Sequence, residues 1–329
     1  MTILSHRLIE KSPIPPYMTG IVVSVICFFS YLAVASHVGL IDQTVEGEVS
    51  SIELRASLTL MILIGYLPVA HWYLRKWSLQ SFGEVKQAFA LQDNARVPSD
   101  RTLLAAGIVG WLAFITLFLI LPDRDSLLFQ PWRWALDYTA VVIALSLVGW
   151  SIGRLSFELI WTALHLTEIA KCLPDLNLFD RDSFKPFIQQ GVQSALLIII
   201  MMSITGHLAV KPGSGIIGTM VFMTTMLVLT MMALIIPMRG IHSRIQAGKR
   251  GELAAIREKI RLKKDRLIAG SAQESDMIVA LLAMETRIER VPDWPFDGGS
   301  LSRFSFYLLL GLGSWVGAAL VERLINSAL

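Results

Sequence analysis

Residues 214–250 read SGIIGTMVFMTTMLVLTMMALIIPMRGIHSRIQAGKR. From Ser214 to Met238 there is no Asp, Glu, Lys or Arg, and then Arg239, Arg244, Lys249 and Arg250 follow in quick succession. A bilayer core takes about 20 apolar residues as a helix, because a helix satisfies its own backbone hydrogen bonds where lipid offers none. An uncharged run of that length that breaks abruptly into basic residues is a membrane span reaching its cytoplasmic flank.

The same block pattern recurs along the chain, which is 54% hydrophobic and only 17% charged, against about 25% charged in soluble domains. Seven segments are long enough to span: 16–41, 56–74, 102–121, 134–153, 188–208, 214–237 and 304–321. The expected fold is therefore an all-α integral membrane protein with about seven transmembrane helices. Three parts are expected: residues 1–238 as a bundle of six spans, 239–290 as a cytoplasmic amphipathic helical hairpin, and 291–329 as an elbow with the final span. Ala33-Val34-Ala35 resembles a signal-peptidase site, but the uncharged stretch 12–41 exceeds the ~7–15 residue core of a signal peptide. We read it as an uncleaved first span.

Orientation follows from the connecting loops. Arg75, Lys76, Lys86, Arg96 and Arg101 lie between spans two and three, Lys171, Arg181 and Lys185 between four and five, and the long basic region after span six. The intervening loops are poor in positive charge, so the basic side is the cytoplasm. The N-terminus is expected in the cytoplasm and the C-terminus outside it, in a plasma membrane of the bacterial inner-membrane type. Two cysteines, Cys27 and Cys172, make no disulfide framework.

Residues 239–268 carry ten Lys or Arg against Glu252, Glu258 and Asp265, with Leu253, Ile256, Ile260 and Leu267 at heptad-like steps. After Ala269-Gly270-Ser271-Ala272, a second apolar stripe (Met277, Ile278, Leu281, Met284, Ile288, Val291) accompanies four acids. Two amphipathic helices of complementary charge pair as a coiled-coil-like hairpin. The basic arm also suits anionic lipids, and the hairpin suits a second copy or a protein partner; its charges interleave with core positions, which argues against nucleic acid. Pro292, Trp294 and Pro295 then form an elbow that cannot be regular helix.

Three stretches carry a resemblance: 175–191 (DLNLFDRDSFKPFIQQG), 237–249 (PMRGIHSRIQAGK) and 291–304 (VPDWPFDGGSLSRF). In these the chain resembles a group of uncharacterised bacterial multi-pass membrane proteins. The resemblance covers the second half only and implies the basic juxtamembrane helix, the hairpin and the elbow before a last span. It brings no catalytic residues and no cofactor.

Signatures of phosphate loops, zinc helices, Cys-x-x-Cys pairs and nucleophile elbows do not occur. No catalytic, cofactor-binding or metal-ligating residue is assigned. Candidate positions come from polar groups at membrane depth and from small-residue faces. Arg154, Glu158, His165 and Glu168 share one face of a helix that continues beyond span four. They read either as an ion or proton path or as a solvated face with Arg154 and Glu158 paired. In span six, Thr219, Met223, Met226 and Thr230 form a stripe that reads as a helix interface or conduit wall; thioethers also suit Cu(I), but no histidine or cysteine joins them. Gly313 and Gly317, like Gly149 and Gly153, clear one helix face for close packing within or between subunits.

Three functional classes fit. The first is a non-enzymatic membrane scaffold or sensor that works through the hairpin. The second is a subunit of an oligomeric channel or transport system, a topology shared with insect chemoreceptor channels. The third is an intramembrane enzyme using Glu158 and His165.

Overall fold

The computed structural model describes residues 9–41, 51–89, 98–120, 136–173, 182–205, 216–268, 272–296, 298–299, 301–311 and 313. Every regular element among them is a helix. In chain order these are α1 (Pro16–His37), α2 (Ser51–Phe89), α3 (Asp100–Ile120), α4 (Leu136–Lys171), α5 (Lys185–Thr205), α6 (Ile216–Ile235), α7 (Arg239–Ile268), α8 (Ala272–Glu289) and α9 (residues 301–311). Among the described residues, five helices are long and apolar enough to cross a membrane: Pro16–His37, Leu54–Phe89, Leu136–Lys171, Lys185–Thr205 and Leu227–Lys264. The third and seventh expected spans, 102–121 and 304–321, run into residues outside the described set.

α2 and α4 decide the architecture. They have 39 and 36 residues, about 58 and 54 Å at 1.5 Å per residue, roughly twice the thickness of a bilayer core. The extension of α4 was expected. That of α2 was not, because residues 75–89 read as a basic loop. Their apolar positions (Phe82, Val85, Phe89) nevertheless keep a helical period, and they bury against the far end of α4. The loss of lipid is made good by a protein core.

α1 lies along α2, α3 along α4, and α2 packs on both α4 and α5. Four clusters are buried. One, around Tyr31, Ala35, Met61 and Ala144, sits at one end. A second follows along α2 and α4, with Leu63, Leu67, Leu74, Val148 and Leu155. A third joins α5, α6 and α9 through Ile199, Leu234, Met238 and Phe304. The fourth, at the other end, unites Phe82 of α2, Leu166 of α4, Phe187 of α5, Ile241 and Ile256 of α7, and Ile288 of α8. The outer faces stay apolar, with Ile21, Phe29, Val109, Ile143 and Leu309 exposed. Apolar surface on this scale is compatible with a lipid environment.

Glycines make the close crossings. A Cβ on Gly65 would collide with the Gly20 carbonyl and Ser24, one on Gly110 with the backbone of Gly153, and one on Gly240 with the Thr167 carbonyl. The Gly149–Gly153 pair therefore serves a contact inside the chain, between α3 and α4, where backbones approach because side chains are missing. Gly313 differs, since among the described residues a Cβ there would meet nothing within 4 Å. It is Gly311 that seats α9, with its Cβ position 2.5 Å from Ile199 Cγ2.

α6 passes into α7 through a short 3-10 turn, Ile236–Met238. Pro237 brings no N–H to this turn, and Thr167 Oγ1 of α4 donates to the Ile236 carbonyl at 2.8 Å. The basic helix is thus continuous with the apolar one and is held against α4 at the junction.

Candidate functional site

His71, Arg75, Ser78 and Phe82 recur at i, i+4, i+7 and i+11 on α2, and Arg154, Glu158, Thr162 and His165 at i, i+4, i+8 and i+11 on α4. Such spacing gathers residues on one helix face, and the two faces meet. His71 Nε2 lies 2.6 Å from Glu158 Oε2, with the side chains 5% and 1% exposed. Ionisable groups so enclosed are costly to desolvate and are retained only with close geometry. Leu67, Leu74 and Leu155, all buried, wall it in.

The contact is close without being a well-directed hydrogen bond. Neither carboxylate oxygen of Glu158 has a hydrogen-bond partner among the described residues, nor do Nε and Nη2 of Arg154 or Nη1 of Arg75, although all five atoms are buried. Glu158, Arg75 and Asp100 lie within electrostatic reach of Arg154. The result is a compact group of opposite charges at one level of α2, α3 and α4, with hydrogen-bonding capacity to spare.

One to two helical turns on, about 6–10 Å along the axes, a second polar group bridges three helices. Ser78 Oγ donates to the Leu74 carbonyl at 2.8 Å and lies 3.2 Å from Thr162 Oγ1. The Gln190 amide of α5 donates to Ser78 Oγ (3.4 Å) and Ser194 Oγ (3.3 Å) and accepts from Ser81 Oγ (3.3 Å). All five side chains are buried. Satisfied networks of this kind fix helices in one register.

The four α4 residues singled out in the sequence therefore part company. Arg154 and Glu158 join the charged group, where the partner of Glu158 is His71 of another helix. His165 is half-buried, edge-on to Phe82 at 5.5 Å and stacked with Trp161 at 6.1 Å. Glu168 is 74% exposed and reaches His165 only at 3.9 Å. Sequence reading missed His71, Ser78, Ser81, Thr162, Gln190 and Ser194. The available signal was the helical period of polar residues beyond span two, which a reading of that stretch as loop discards.

The elbow is pinned to α7. His242 stacks on Trp294 at 4.1 Å and 14°, and its Nδ1 lies 2.8 Å from the Asp293 carbonyl. Lys249 donates to the Val291 carbonyl at 2.9 Å and pairs with Asp293 at 3.1 Å. Pro292 is exposed and Pro295 half-buried. Between α7 and α8, Arg257 meets Glu285 at 2.6 Å and Glu289 at 2.9 Å.

Of the span-six stripe, Thr230 is fully buried; the side chains of Thr219, Met223 and Met226 lie outside the described residues, as does Gly317. Among the described residues no three His, Cys, Asp or Glu side chains are gathered as metal ligands would be. No family model, no curated protein and no solved structure matches this chain.

Proposed function

We propose that the protein is a non-enzymatic membrane sensor or scaffold, in which the α7–α8 pair forms a cytoplasmic helical hairpin that reports on the spans. One observation carries the reading: the core that holds α7 and α8 is built on the same helices, α2 and α4, that bury the His71–Glu158 pair. A change in the packing of α2 on α4 has a rigid route to the hairpin, because close-packed cores switch between arrangements rather than deform smoothly. In this reading the chain crosses a bacterial inner membrane seven times, with the N-terminus and hairpin in the cytoplasm and the C-terminus outside. The positions of Arg and Lys support that orientation.

Hydrogen exchange on the purified protein tests the coupling. In Glu158→Gln, amides of α7 and α8 are expected to exchange faster, although the substitution is remote from them. A folded, inserted variant with unchanged exchange over residues 239–289 would refute it. Deletion of residues 251–290 should abolish function while leaving an inserted bundle, and normal function after that deletion would remove the hairpin from the account.

The alternative is a subunit of an oligomeric channel or transport system. Its specific support is that, among the described residues, nothing lies within 4 Å of a Cβ placed at Gly313; in this reading that face meets a neighbouring copy. Bulky substitution at Gly313 or Thr230 should then change ion flux.

A further inference from the structure

On the face of α2 turned away from Glu158, α1, α2 and α5 enclose a groove of about 750 Å³, within the usual size range of small-molecule sites. Its walls are almost wholly apolar. The two hydroxyls at its middle are turned into the backbone: Tyr66 donates to the Leu197 carbonyl at 2.6 Å and Ser24 to the Ile62 carbonyl at 2.9 Å. Neither is left to seek a polar guest, so the groove suits hydrocarbon.

Towards the α7–α8 end the groove is lined by Tyr73 and Trp77, ring types that gather at headgroup depth. One turn further along α2, and one turn back along α5, a smaller pocket of about 250 Å³ opens, lined by Gln80, Gln189, Gln193, Arg303 and Tyr307. Leu196 lines both cavities. No acidic residue is among the described ones lining the smaller pocket. Arg303 Nε donates to the Gly299 carbonyl at 3.1 Å, which orients the guanidinium and leaves its terminal amino groups for an anion, the fork that phosphate oxygens accept.

Hydrocarbon groove, aromatic rim and cationic amide-lined pocket follow one another along α2 from Ile62 to Gln80, about five helical turns. From this order we infer that the two cavities form one binding site for an anionic phospholipid of the leaflet nearer α7 and α8. Its acyl chains lie between α1, α2 and α5, and its phosphate sits on Arg303. The site lies apart from the charged group at Glu158 and from the basic surface of α7, and it does not depend on the sensor reading.

Native mass spectrometry of the delipidated full-length protein tests this, with titration by palmitoyl-oleoyl phosphatidylglycerol and by the matching phosphatidylcholine. One phosphatidylglycerol per protomer is expected to bind about fivefold more tightly than phosphatidylcholine, the scale of one basic residue at an anionic headgroup. Arg303→Gln should erase that preference and leave phosphatidylcholine binding unchanged. Ile200→Trp, which fills the groove wall, should weaken both lipids without lowering the melting temperature. Equal binding of the two lipids by the native protein, or a preference that survives Arg303→Gln, would overturn the assignment and leave ordinary boundary lipid. Competition by glycerol phosphate alone, insensitive to Ile200→Trp, would overturn it in favour of a soluble phosphate. Displacement of lipid on dimerisation would assign the groove to a second copy.

Discussion

At the scale of single residues the molecule is governed by one buried pair. Glu158 is enclosed by leucines and meets one imidazole at 2.6 Å, so removal of His71 takes away the group nearest to a buried carboxylate. His71→Ala is expected to lower stability by about 3–5 kcal/mol, the range for breaking a buried pair from one side. Thermal melting in a fixed detergent reads this as a fall in Tm. Glu158→Gln should cost less, since it keeps the shape of the side chain and removes a buried charge together with its desolvation cost. A His71→Leu, Glu158→Leu double substitution is expected to lose less than the two single changes together, and strict additivity would mean the residues do not interact.

Helices meet at glycines, and that defines the behaviour of whole elements. Gly153→Leu drives a side chain into α3 and should destabilise by about 1–3 kcal/mol, as overpacking of a tight contact does. Gly313→Leu meets none of the described residues and is expected to leave the melting temperature of the monomer unchanged. A comparison of the two variants by thermal melting checks both, and a large loss at Gly313 would mean that this face is covered. α8 depends more on its apolar anchor than on its charges. Arg257 is exposed where it pairs with Glu285 and Glu289, and pairs of that kind contribute little. Ile288 is fully buried in the core shared with α2, α4 and α5. Ile288→Ala should cost about 2–5 kcal/mol and raise hydrogen exchange throughout α8, whereas Arg257→Ala should change exchange much less.

For the whole molecule, the open question of copies decides between the two functional readings. Oligomers of this kind are closed and symmetric, so native mass spectrometry of the solubilised protein should give a discrete subunit count. A monomer or dimer accords with a sensor that acts through its hairpin. A trimer or larger ring would move the axis of function to the face of Gly313. The topology has its own check: a reporter fused after Leu329 that is active only in the cytoplasm would contradict seven spans.

Much of the architecture was legible in the order of residues, because lipid selects long uncharged helical runs whatever they pack against. Helical character, the extension of α4 and the basic flank of α6 follow from that local rule. The elbow at Pro292 and Pro295 was legible for the same reason, since proline acts on its own backbone. The candidate site was not. Arg154 and Glu158 suggest a pair at i,i+4 when read along one helix, yet Glu158 meets His71, 87 positions away in the chain. Ser78, Thr162 and Gln190 are ordinary polar residues until three helices bring them within hydrogen-bond distance. Periodicity tells which face of a helix must be covered, whereas the identity of the cover depends on which helices cross and at what register. Here glycines such as Gly65, Gly110 and Gly240 allow those crossings, and only the folded arrangement shows which backbone each of them admits.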